Sequence, residues 1–137
     1  LAVQPDGKIL VGGGFISSGA QQMWDLVRVD GAGTVDAGFN PGLSGLYPFI
    51  SCLALQPDQK ILLAGCFEIL GWQAHTNVGR LEASGAVDAG FTNGTEFAKY
   101  PTDGHVMAMA LQPDGKVLVA GGGPAGLLGR RENRRLG

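Results

Sequence analysis

Three stretches of the chain are near copies of one another: LAVQPDGKILVGGGF at 1–15, LALQPDQKILLAGCF at 53–67 and MALQPDGKVLVAGGG at 109–123. The first two are offset by 52 residues without a gap, and the third follows after 56. A second landmark keeps the 52-residue step: RVDGAGTVDAGF at 28–39 matches RLEASGAVDAGF at 80–91. Two motifs sharing one offset define a tandem repeat, in which each unit buries its apolar surface against its neighbours. The chain divides into a unit at 1–52 that starts mid-repeat, a second at 53–108 and a partial third at 109–137. Its natural start is therefore expected to lie outside this sequence.

Each unit reads as a set of short strands. In Gln4-Pro5-Asp6-Gly7-Lys8, proline presets φ for the first corner and aspartate suits the second. Glycine then accepts the left-handed position that closes a hairpin. The middle copy has Gln59 there, at a cost of roughly 1 kcal/mol if φ stays positive. The flanking runs are apolar on consecutive residues (Ile9, Leu10, Val11), the pattern of strands covered on both faces. A third strand is expected near Asp25–Asp30 and Asn77–Glu82, and a short fourth over Val35–Phe39 and Val87–Phe91. The chain has 24 glycines among 137 residues, where average usage would give about ten, so turns outnumber helices. Four antiparallel strands in about 50 residues, buried on both sides, make a β-propeller blade. The fold class is thus all-β, with about two and a half blades of a partial or open propeller. Closed rings need about four to eight blades. The remaining ones are expected from a longer chain or from other copies.

QPDGKILVGG followed by R-[VL]-x-x-x-G-x-[VL]-D-x-x-F resembles the delta-60 repeat, a β-propeller repeat family of unknown molecular function. The resemblance spans nearly the whole chain. It implies blades of bacterial secreted or cell-surface proteins, with no established catalytic residues to carry over. The third unit departs from the pattern: GPAGLLGRRENRRLG is shorter and more basic than the corresponding stretches.

One segment points elsewhere. VLVAGGGPAGLLG at 117–129 contains G-x-G-x-x-G (Gly121, Gly123, Gly126), the spacing of a flavin- or nicotinamide-binding turn. In the repeat alignment the cluster falls on Gly65-Cys66-Phe67 and Gly13-Gly14-Phe15, which do the same structural job without that spacing. A dinucleotide site also needs a following helix and an acidic residue about 20 positions on. The match is read as a glycine-rich strand end, and no cofactor is expected.

A net charge of −2 argues against nucleic acid as a partner. No apolar run of about 18 residues encodes a membrane-spanning helix. Cys52 and Cys66 fall on neighbouring strands of one hairpin. A three-residue loop sets them diagonally on one face and a four-residue loop on opposite faces; the expectation is two buried free thiols. His75 and His105 have no metal-ligand spacing around them and read as ordinary surface or loop residues. Asp36 and Asp88 recur in step with Arg28 and Arg80, as an internal lock on turn amides or on the arginine of the same blade. Asp6, Asp58 and Asp114 are turn formers. Differences between units concentrate in ISSGAQQMWDLV (16–27) and EILGWQAHTNVG (68–79), each with one tryptophan. Trp24 and Trp72 are the candidate partner-binding residues, suited to stacking on carbohydrate or gripping a protein, against the alternative that they plug gaps between blades. The leading expectation is a non-enzymatic scaffold or binding module. The alternative is a fragment of an enzyme, either a propeller lyase or hydrolase, or a flavin- or NAD-binding protein through GGGPAG.

Overall fold

The computed structural model describes residues 1–14, 25–45, 48–91, 105–122 and 131–134. Three antiparallel sheets follow one another along the chain. The first pairs β1 (Ala2–Val3), β2 (Ile9–Gly12) and β3 (Leu26–Val29) in that order. The second uses β4 (Phe49–Leu55), β5 (Ile61–Cys66) and β8 (Val78–Leu81), ordered β4-β5-β8. A small hairpin, β6 (Ile69–Leu70) and β7 (Gln73–Ala74), is inserted between its last two strands. The third runs β11-β10-β9, from β9 (His105–Leu111), β10 (Val117–Gly122) and β11 (Arg131–Arg134). No α-helix occurs among the described residues.

The QPD turns explain why the first two strands of each sheet pair in one register. Gly7 N donates to the Gln4 carbonyl at 2.9 Å, and Gln4 N donates to the Lys8 carbonyl at 2.8 Å. The same pairs recur at Gln56–Lys60 and Gln112–Lys116. Three residues therefore lie between the paired positions, as in a type I turn followed by a left-handed residue. That residue has φ 86° at Gly7, 70° at Gln59 and 80° at Gly115, so the glutamine copy adopts the glycine geometry rather than another turn. The aspartates fix the corner: Lys8 N donates to Asp6 Oδ1, Lys60 N to Asp58 Oδ1 and Lys116 N to Asp114 Oδ1.

The expected fourth strand contracts to a point. Only single bridges, Val29 with Val35 and Leu81 with Val87, mark its place. Directly afterwards Asp36 Oδ1 accepts from Gly38 N and the Asp36 carbonyl accepts from Phe39 N. Asp88 does the same with Gly90 and Phe91. These aspartate turns take the amides that a ladder would have used, so the chain curls away after one bridge.

Packing follows the alternation of each strand. One face of the second sheet (Ile50, Leu53, Leu55, Ile61, Leu63, Leu81) meets Ala2, Leu10 and Leu26 of the first sheet. Its other face (Cys52, Ala54, Leu62, Ala64, Val78) meets Val106, Met109, Leu111, Val117 and Val119 of the third. Every residue from Ile61 to Gly65 is consequently buried, as consecutive apolar residues on a central strand require. The sheets are propeller blades stacked face to face. An extra residue bulges from the first strand of the sheet at Ser51 and again at Met107, 56 positions later. At the first bulge Gly65 lies against the Phe49 carbonyl so closely that an added Cβ would come within 2.1 Å of it. Gly121, its counterpart, pairs with Val106 in an antiparallel ladder. The glycine cluster thus begins as a strand end opposite a bulge, and β10 is an antiparallel strand rather than the parallel one of a dinucleotide fold.

Cys52 lies opposite Ala64, and Cys66 is two residues further along the same strand. The three-residue loop therefore sets both sulfurs diagonally on one face. Both are free, and both are half-buried rather than fully buried as expected. Burial pushes each thiol above its ordinary value.

Candidate functional site

Two constellations stand out. The first is built into the joint between blades. Arg28, almost fully buried, donates from Nε at 3.0 Å and Nη2 at 2.8 Å to Asp36 Oδ2. Lys8 Nζ joins the same oxygen at 3.0 Å. Beneath them the guanidinium sits 4.6 Å from the centroid of Phe39, close enough for a cation–π contact. In the second blade Arg80 Nε meets Asp88 Oδ2 at 2.7 Å, Lys60 Nζ meets it at 2.8 Å, and Arg80 lies 5.0 Å from Phe91. Lys60 also pairs with Glu82 at 3.3 Å. Lys8 first and Arg28 second hold the Asp36 carboxyl at about 2, and Lys60 foremost holds Asp88 at about 2 against the opposing effect of burial.

This lock does more than close its own blade. Arg28 Nη1 donates at 2.9 Å to the carbonyl of Ala83, in the turn of the next blade. Gln4 Nε2 donates to the same carbonyl at 3.2 Å. The sequence exposed the Arg–Asp pair. It did not expose the lysine, phenylalanine and glutamine that complete it, although all three also recur at the repeat spacing. In the first blade the cluster thus ties strand, turn and neighbouring blade together through one buried guanidinium.

The second is the β6–β7 hairpin, which stands outside the repeat pattern. Its two-residue tip is Gly71-Trp72, with φ 58° and 66°, the left-handed pair of a type I′ turn. Glycine takes this conformation freely, and here it must: an added Cβ on Gly71 would come within 2.1 Å of Val87 Cγ2. Tryptophan does not, and its presence there costs about 1 kcal/mol. The connecting loop of the first blade braces the tip. Gly71 N donates to the Pro41 carbonyl at 2.8 Å, Ser44 forms a bridge with Ile69, and Glu68 N donates to the Ser44 carbonyl. The edge of the indole bearing Nε1 lies over Gly42, where a Cβ would stand 3.6 Å from it. Even so the side chain is 85 % exposed. Trp72 therefore fills no gap between the described blades. Gln73 and Ala74 are exposed beside it in the chain, and Asn40 and Ser44 are exposed on the bracing loop.

Trp24 lies outside the described residues, so only Trp72 has a defined setting. His75, expected as a surface or loop residue, lies in the loop after β7 and is buried, with its amide bonded to the Glu68 carbonyl; the return of the hairpin into the blade carries it inward. His105 opens β9. Among the described residues no three His, Cys, Asp or Glu side chains converge as a metal set would.

Stacked antiparallel blades, each of the first two carrying the same Lys–Arg–Asp–Phe cluster, define a β-propeller repeat protein. The family model described as Domain of unknown function (DUF5122) beta-propeller matches residues 4–39 and 56–91, just over half of the chain. The chain belongs to that family, in agreement with the delta-60-like resemblance of its motifs. No curated protein and no solved structure gives a significant match.

Proposed function

We propose that this is a non-enzymatic propeller segment of a secreted or cell-surface protein, acting as a scaffold whose braced hairpin presents Trp72 to a partner. The observation that carries this reading is the conformation of Trp72. A large aromatic residue is kept in a strained backbone geometry with its ring in water, where glycine would relieve the strain. Strain retained at an exposed position marks a functional residue better than a structural one. An indole face fixed by a two-residue turn suits stacking on the apolar face of a sugar ring. Little conformational freedom is left for binding to remove.

Substitution separates the two roles. Trp72→Gly removes the left-handed penalty and is expected to leave the melting temperature unchanged or raise it by a few degrees. The same variant loses binding. The measurement is a carbohydrate array probed with labelled wild-type and variant chains, beside thermal unfolding of both. Wild-type signals that vanish in Trp72→Gly support the reading. An identical array profile for the two chains, or no wild-type signal at all, removes carbohydrate recognition by this tip.

A further inference from the structure

The second blade has a neighbour packed on each of its faces, so the exposure of its hairpin tip is set inside the stack. What surrounds the indole there decides what it can hold. The edge bearing Nε1 rests over Gly42, and the preceding residue is Gly71, so neither carries a side chain that could rise beside the ring. Gly42 has no room for one: its φ is 62°, and an added Cβ would stand 3.3 Å from the Gly71 backbone. On the far side of the tip, Gln73 and Ala74 lead away along β7. With 85 % of its surface in water, the ring is a platform open around most of its rim.

Exposed polar groups flank the one supported edge. Gly42 stands midway between Asn40 and Ser44, both exposed, so each lies within about 7 Å of the point beneath the indole, the reach of two residues. Asn40 Oδ1 is committed to Gly42 N at 3.1 Å, which leaves its Nδ2 group and the Ser44 hydroxyl to meet a ligand. Charge is the other constraint. The bracing stretch 40–45 and the hairpin 68–74 contain no lysine or arginine, and their one ionised side chain is Glu68. An anionic ligand would find no counter-charge in either segment and one like charge, which opposes binding at short range.

Resting on the carbohydrate reading above, we propose that the Trp72 tip takes a neutral polysaccharide along its length, stacking on an internal sugar while the chain runs past on both sides. Holding a chain end requires polar groups on a second side of the ring, to read the hydroxyl that only the terminal sugar carries. Here the open rim lets the neighbouring sugars continue into water without a clash. Glu68 disfavours uronate-rich and sulfated polymers. One stacked ring binds weakly by itself, and a polymer offers the same face many times over.

Affinity electrophoresis of the full chain tests this, in native gels cast with hydroxyethylcellulose, arabinoxylan or galactomannan as neutral polymers and with alginate or heparin as acidic ones. The wild type is expected to be retarded by at least one neutral polymer and by neither acidic one. Trp72→Gly loses the retardation and Trp72→Tyr keeps part of it, with thermal unfolding confirming that both variants are folded. Fragments of the retarding polymer compete, mole for mole, in proportion to their length, and borohydride reduction of their ends changes nothing. Competition by its di- and trisaccharides equal to that of long fragments overturns binding along the chain and leaves carbohydrate recognition standing. Retardation by alginate or heparin as strong as by any neutral polymer overturns the neutral ligand. If no polymer gives Trp72-dependent retardation the proposal fails, and the array decides the wider reading: signals from short glycans keep it, silence removes it. Trp72-dependent cosedimentation with phosphatidylcholine vesicles in that last case assigns the tip to a lipid surface instead.

Discussion

At the scale of single residues, the protein is held by buried charge that its own sequence neutralises. Asp88 is the sharpest case, because one of its oxygens accepts from both Lys60 and Arg80 while the other caps Gly90 N. Its side chain is 8 % exposed, against 24 % for Asp36. Removing one partner of such a cluster leaves the arginine buried without its counter-charge, which is worse than never having had the pair. Asp88→Asn should lower stability by about 2 kcal/mol or more, the scale of a charged hydrogen bond lost from a protected site. Asp36→Asn should cost less. The pH dependence follows from the sign of the shift. Both carboxyls titrate at about 2 in the folded chain, below the ordinary 3.8. The unfolded chain therefore takes up protons first as pH falls. The contribution is complete above about pH 4 and disappears as pH drops towards 2. Urea midpoints measured from pH 5 to pH 2 should fall steeply for the wild type and less steeply for Asp88→Asn. Equal slopes would mean that this carboxylate is not what couples acid to unfolding.

Among the secondary-structure elements, the hairpins show what sequence chemistry decides and what it leaves to context. The QPD turns were legible because proline, aspartate and a left-handed residue each favour one corner of one turn type. Gln59 shows the turn prevailing over the residue: it is held at φ 70° between strands whose register is already set. Gln59→Gly should stabilise the chain by about 0.5 kcal/mol, the left-handed penalty removed less the extra freedom that glycine gives the unfolded chain. Thermal unfolding checks it, and an unchanged or lowered midpoint would show that the glutamine side chain contributes more than its backbone costs. The third strands were readable for a related reason, since Leu26–Val29 and Val78–Leu81 begin and end on apolar residues around the repeated Arg28 and Arg80, ahead of a glycine turn. The fourth strands were overestimated. Val-Asp-Ala-Gly-Phe has the residues of a strand end, but its aspartate bonds the amide two residues on, and local capture defeats the ladder. The β6–β7 hairpin was missed because Gly-Trp is a poor turn pair by propensity. Only the glycine, between Ile69-Leu70 and Gln73-Ala74, hinted at a two-residue loop. The exposure of Trp72 was not legible at all, because it depends on bracing by a loop some 30 residues earlier in the chain.

For the whole molecule, stability is distributed as in any linear repeat: each blade contributes its own hairpins, and the interfaces contribute the cooperativity. The same side chain therefore has a different energetic weight according to whether a neighbour covers it. Leu62 and Leu118 occupy one repeat position with one backbone setting, but Leu62 is wholly buried under the third blade and Leu118 is partly in water. Leu62→Ala opens a cavity between two rigid sheets and should cost about 3 kcal/mol, within the range for a fully buried leucine. Leu118→Ala should cost under about 1 kcal/mol, as for a surface site. Chemical denaturation of both variants measures the difference directly. If the two substitutions cost the same, Leu118 is as well covered as Leu62 in solution. If Leu62→Ala alone is severe, the weight of this repeat position comes from the sheet packed over it and not from the blade that carries it.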